Sequence, residues 1–249
     1  MSGICGAVDW SGQREEGLEV DLVRMLGRVS HLGPDGVIRH REAGLALGQL
    51  LDYQAPESTL VTSVVRDVGS GVSLVADLRF DNREALGEKL GLAQAVLGKT
   101  SDEALLLLAF GRWGIDLVQH LLGDFFFALW SAPARRLWLV RDAIGIRPGC
   151  YARLPQGMVF ASEVNALLQC EQISRKPCQE RIADFLALDF EDLEITFYDG
   201  LLRVPPGTVV EAGPERFAKR RYWRLEFTPE LKLRDNREYG DAFRELLID

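Results

Sequence analysis

Apolar residues recur along this chain with two different periods. Short continuous or alternating apolar runs at residues 3–10, 44–51, 71–78, 125–130, 136–141 and 157–161 predict strands buried on at least one face. Helical spacing over 20–29, 82–90, 102–113 and 178–188 predicts amphipathic helices. Thr100 and Glu103 have the spacing of a capping box for the third of these, and Asp102 adds negative charge to its first turn. Pro205-Pro206-Gly207 marks a turn before a strand at 208–211. Strands and helices are mixed without strict βαβ alternation, which predicts the α+β class.

Beyond about Leu225 the pattern changes. The stretch 228–238 is mostly polar or charged and reads as a linker. Residues 238–247 are amphipathic and run to Asp249 without a cap. The expected organisation is therefore a domain over 1–225, then a linker and the first helix of a further, C-terminal domain over 226–249; a plain C-terminal tail is the alternative.

Composition narrows the function. With 249 residues, 47% of them hydrophobic, the chain can bury a large core. The net charge is −8 and the basic residues are dispersed, so no nucleic-acid face is expected. Lys219-Arg220-Arg221 reads as a solvated strand end. Cys5, Cys150, Cys170 and Cys178 form no CxxC pair, and the three histidines lack metal spacing, so no metal site is expected. No apolar run reaches the ~20 residues of a membrane span, and the start lacks the features of a signal peptide. These features lead to the expectation of a cytoplasmic protein with free thiols.

Candidate chemistry begins at Ser2. If Met1 is removed, a hydroxyl lies beside a free α-amine, the arrangement of an N-terminal nucleophile. Cys5 is no substitute, having no free amine of its own. Residues 93–100 loosely resemble a phosphate loop but lack its first glycine and follow no strand, and Thr100 is better used as a cap. His31-Leu32-Gly33-Pro34-Asp35-Gly36 has the chemistry of a turn, with His31 structural. The run from Leu122 to Trp130 is core, and Arg141 with Asp142 reads as an ion pair bracing the turn Gly145-Ile146-Arg147-Pro148.

Taken together, several segments resemble the N-terminal class II glutamine amidotransferase domain of the asparagine synthetase family. They are Gly3-Ile4-Cys5-Gly6, His31 to Gly36, Leu45-Ala46-Leu47-Gly48, Ser101-Asp102-Glu103, Leu122 to Trp130, Val140-Arg141-Asp142 with Gly145 to Pro148, Phe160-Ala161-Ser162-Glu163, and Val204 to Gly207 with Arg221-Tyr222-Trp223. The resemblance spans Ser2 to about Trp223 and implies a four-layered α/β/β/α Ntn-hydrolase sandwich with two antiparallel sheets. It also implies a site that releases ammonia from glutamine, coupled to a C-terminal domain that activates a carboxylate with ATP and Mg.

Compared with that site, this chain departs at three places. Ser2 stands for the nucleophilic cysteine. Leu51 falls where the arginine for the glutamine carboxylate is expected, leaving no cation there to make a bidentate pair. Asp77-Leu78 falls where Asn-Gly would form the oxyanion hole, and an ionised carboxylate cannot donate a hydrogen bond. Asp102, matching the contact to the substrate α-amine, is kept. The pattern implies a silenced glutaminase.

Gly48-Gln49, Ala55-Pro56-Glu57-Ser58 and the segment from Ala76 to Glu84 look most like the lasso-peptide macrocyclases, with β-lactam synthetases as relatives. There an amine of the substrate replaces ammonia. The expected partners are a C-terminal synthetase domain, in the same or a separate chain, and a precursor peptide or leader-processing proteins. No cofactor is expected in this chain itself. The alternatives are an active N-terminal-serine amidotransferase supplying ammonia for asparagine synthesis, and a module that binds a peptide or protein partner.

Overall fold

The computed structural model describes residues 2–227 and 230–248. The expected loss of Met1, Thr228 and Pro229 of the expected linker, and Asp249 lie outside these residues. The strands are β1 (Gly3–Asp9), β2 (Gly36–Glu42), β3 (Leu45–Leu51), β4 (Val65–Asp67), β5 (Val72–Phe80), β6 (Gly123–Ser131), β7 (Arg136–Arg141), β8 (Cys150–Leu154), β9 (Gly157–Ala161), β10 (Leu201–Arg203), β11 (Thr208–Gly213) and β12 (Arg216–Arg221). The helices are α1 (Glu15–Arg28), α2 (Arg83–Leu90), α3 (Gln94–Leu97), α4 (Asp102–Trp113), α5 (Val164–Leu167), α6 (Gln179–Ala187) and α7 (Asn236–Ile248).

Two antiparallel sheets result, in the orders β10-β8-β9-β1-β3-β2 and β12-β11-β7-β6-β5-β4. Their side chains sort into three apolar layers by the period of two that strands impose. Ile4 and Val8 of β1 face Phe126, Ala128 and Trp130 of β6 across the gap between the sheets. Cys5 and Ala7 point the other way, onto Leu18, Leu22, Met25 and Leu26 of α1. Phe125, Phe127 and Leu129 turn from the inter-sheet layer toward Leu105, Leu106 and Ala109 of α4. The run from Phe125 to Trp130 is continuously apolar because this part of β6 is covered on both faces. The layers follow the expected α/β/β/α order.

Several local expectations need correction. The helix at 102–113 is capped by Ser101, whose Oγ accepts from the Ala104 N–H at 3.1 Å. Thr100 instead donates its hydroxyl to the Val96 carbonyl. Ser101→Ala should therefore cost about 1 kcal/mol, read as a lower urea midpoint, whereas Thr100→Ala should be near neutral. Arg141 and Asp142 brace the turn after β7 separately, through backbone groups. Arg141 donates to the carbonyls of Gly145, Arg147 and Val204. Asp142 accepts from the N–H groups of Gly145, Ile146 and Arg147. This pair of braces fixes where the Arg147 side chain emerges.

No helix among the described residues is long and apolar enough to cross a membrane. The four cysteines are buried and unpaired with one another.

Candidate functional site

The site lies where β5 outruns its edge partner. Strand β4 pairs only with Val72 to Leu74 of β5. Beyond Leu74 the free edge of β5 needs other partners for its amides. The Ala76 N–H donates to Gln49 Oε1 at 3.2 Å, and the Phe80 N–H donates to Asp102 Oδ2 at 3.2 Å. By the alternation of an antiparallel strand, the Leu78 N–H between them points to the same free edge.

A cavity of about 170 Å³ opens beside this edge, and its lining includes Ser2, Asp52, Asp77, Leu78, Asp102, Glu103 and Arg147. Ser2 arrives as the residue before β1, the central strand of the first sheet. Its Oγ accepts from the Asp52 N–H at 3.2 Å. Asp102 and Glu103 come from the first turn of α4. The fold thus brings together Ser2, Asp77, Leu78 and Asp102, four of the five residues expected at the site. Leu51 is buried at the end of β3 and does not line the cavity.

Burial dominates the electrostatics. Asp77 is 3% exposed, and desolvation raises its carboxyl to about 6 against the pull of Arg147. Its Oδ1 lies 3.6 Å from Arg147 Nη1, while its Oδ2 is buried with no hydrogen-bond partner. Arg147, 8% exposed, likewise has an unpartnered Nε. Glu103 is 7% exposed, and burial pushes it to about 7 although Gln49 Nε2 donates to its Oε1 at 3.1 Å. Asp102 is raised by burial too, opposed by the Phe80 amide and by Arg83, whose guanidinium pairs with it and also donates to the carbonyls of Leu97 and Thr100.

Arg147 is the main addition to the sequence reading. The place expected for a cation holds Leu51, yet the cavity does hold a buried one, Arg147, delivered from the turn after β7. The only signal was the residue itself within Gly-Ile-Arg-Pro, and nothing local tells which way a turn residue faces. Gln49 and Glu103 were also missed as a buried pair tying β3 to α4, because a hydrogen bond across 54 residues leaves no periodic trace. His31, read as structural, pairs on the surface with Glu163, its Nε2 lying 3.0 Å from Oε1.

Chemically, the cavity offers carboxylates, the guanidinium groups of Arg79 and Arg147, the hydroxyls of Ser2 and Ser58, and the backbone donor of Leu78.

The chain matches the family model described as a glutamine amidotransferase domain over residues 1–223. It is 24% identical over 231 residues to the glutamine-hydrolyzing asparagine synthetase 3 of Bacillus subtilis, covering 91% of this chain and 37% of that protein. It is 25% identical over 232 residues to the amidase chyE of Penicillium rubens, covering 92% of this chain and 34% of that protein. The chain thus spans about a third of the length of these curated relatives. Among solved structures, the glutamine phosphoribosylpyrophosphate amidotransferase from B. subtilis superposes with a TM-score of 0.59 at 15% identity, covering 88% of this chain and 49% of that one. That likeness carries the Ntn-hydrolase fold alone. With the family model spanning both sheets and the cavity between them, the chain belongs to the class II glutamine amidotransferase domains and has asparagine synthetases among its homologues.

Proposed function

We propose that this domain no longer hydrolyses glutamine and serves an ATP-dependent amide-forming enzyme of the asparagine-synthetase type. Its role there is to pack against a synthetase domain, in the same or a separate chain, and to shape the approach to it. Residues 226–249 would begin the connection, and ATP and Mg would bind in the synthetase. Within this type we favour a cyclase that joins an amine and a carboxylate of one precursor peptide, as lasso-peptide enzymes do. This is because an internal amine makes an ammonia source unnecessary.

The observation that carries the reading is Asp77. It stands where a neutral amide would donate to the oxyanion of a tetrahedral intermediate. At neutral pH it is mainly ionised, and a carboxylate repels such an oxyanion. Loss of one oxyanion donor alone costs roughly a hundredfold or more in rate. Arg147 does not restore glutamine binding in this reading, because it already faces Asp77 at 3.6 Å. Ser2 adds a weak nucleophile whose oxygen is engaged by the Asp52 amide.

One observation favours a second reading, an active N-terminal-serine amidohydrolase: the Leu78 N–H at the free edge of β5 can still serve as one oxyanion donor. Incubating the chain with L-glutamine and measuring ammonia separates the two. No release above a blank is expected. Release that disappears in Ser2→Ala would overturn the proposal.

A further inference from the structure

Helix α6 is inside out. The spacing over 178–188 predicts an apolar stripe turned inward, yet the buried residue of the helix is Arg181. Ile182, Phe185 and Leu186, at the i, i+3, i+4 spacing of one face, are exposed instead. The segment that follows extends this face. Phe190 and Phe197 meet Phe185 edge-on, their ring centroids 6.4 and 5.6 Å from it, and all three rings stay exposed. A single exposed leucine is ordinary, but a contiguous aromatic and aliphatic surface marks a place of contact.

Leu188 is a second, independent observation. It ends α6 in the left-handed conformation, at φ 58°, with 77% of the residue exposed. Its N–H and that of Asp189 close the helix onto the carbonyls of Phe185 and Asp184, a geometry in which glycine is the ordinary residue. Leucine there costs backbone strain and buries little of itself, so its side chain is explained by a contact beyond the chain.

The rim of this face is acidic. Glu180, Asp184, Asp189 and Glu191 are interleaved with the apolar residues. Asp184 sits in the last turn of α6 and Asp189 just beyond it, at the negative end of the helix dipole, and no basic residue occupies that turn. The nearby Lys176 and Lys219 are engaged by Asp199 and Glu194. Among the described residues, no cation forms an ion pair with any of the four rim carboxylates. Arg181 lies beneath the face, donating to the Asp192 carbonyl, with its guanidinium 6.0 Å from the Phe190 ring.

We propose that this face receives a basic amphipathic helix of a protein partner, its apolar stripe on Phe185, Leu188 and Phe190 and its lysines or arginines on the acidic rim. The rim decides among occupants. The chain's own α7 is amphipathic but carries three carboxylates against two guanidinium groups. A second copy docked face to face would set rim against rim, and an anionic membrane would meet the same repulsion. The face shares no residue with the cavity beside β5, so the proposal stands apart from the reading of that pocket.

Fluorescence anisotropy of a labelled synthetic helix of leucine and lysine, titrated with the chain, tests this. Saturable binding is expected, with a leucine–glutamate helix of the same spacing about tenfold weaker or worse. Phe185→Ser and Leu188→Gly should each weaken the lysine helix about tenfold. Leu188→Gly should also leave the melting temperature unchanged or raise it, because glycine removes the strain, so its lost binding is not lost folding. Asp184→Asn combined with Asp189→Asn should weaken binding about tenfold and make what remains less sensitive to added NaCl. No binding overturns the proposal. So does binding that Phe185→Ser and Leu188→Gly leave unchanged, which would place the lysines on acidic surface elsewhere. Light scattering that finds a dimer dissolved by Phe185→Ser assigns the face to a second copy and overturns it as well. Cosedimentation with phosphatidylglycerol vesicles that is lost in the same variant does likewise, in favour of a membrane.

Discussion

Replacing Glu103 by glutamine should stabilise the protein by about 3 kcal/mol at pH 8 and by almost nothing at pH 4. The unfolded chain titrates this carboxyl near 4.5 and the folded one near 7. Between those values the native state holds a proton that the unfolded state has released. Native stability is therefore fully present below about pH 4.5 and is lost as pH rises through 7. Each pKa unit corresponds to about 1.4 kcal/mol, which gives the size of the effect. The substitution removes the charge but not the contact, since a glutamine carbonyl also accepts from Gln49 Nε2. Urea denaturation across pH 4–8 measures it. Curves for the two proteins that stay parallel over this range would show that Glu103 is not forced to ionise inside the native state.

Phe126→Ala should cost about 3–5 kcal/mol, the usual penalty for emptying a buried aromatic site. The ring is fully buried between the sheets. It also explains a glycine: a Cβ at Gly149 would come within 2.4 Å of the ring. Gly149→Ala alone should therefore be destabilising by about 1–3 kcal/mol through overpacking, yet close to harmless in the Phe126→Ala background. Denaturant unfolding of the four proteins in this cycle gives the coupling. Additive losses would mean that the two residues do not meet.

The sequence revealed most where both faces of an element are buried. The apolar runs that became β1, β3, β5 and β6 were legible because every other residue, or every residue, enters a core. Strand β2 was not legible. It is an edge strand whose Arg39 and Arg41 reach Glu19 and Glu15 of α1, so its polar residues hide its alternation. Helix α1 starts at Glu15, earlier than the apolar spacing suggested, because its first turn is acidic and its first buried residue is Leu18. The basic run ending at Arg221 does close a strand, β12, as its charge pattern implied.

The site divides along the same line. Ser2, Asp77, Leu78 and Asp102 were reachable because each belongs to a segment with local character. Arg147 was not, because its direction is set by Arg141 and Asp142 gripping the turn and by where β8 begins, which are relations across the fold. Glu103 was noticed only as a helix-capping partner. Its burial depends on Gln49, a residue from the opposite sheet.

The position of β1 bears on how the chain is made. Its two flanks are taken by β3 and by β9, and the second of these is encoded far downstream. At about 5–20 residues per second, the ribosome needs on the order of ten seconds to deliver it after β3. For that interval the nascent polypeptide carries an apolar strand with one flank open to any neighbour. Recovery of folded material from cells should thus depend on chaperone supply during translation more than on the stability of the finished molecule.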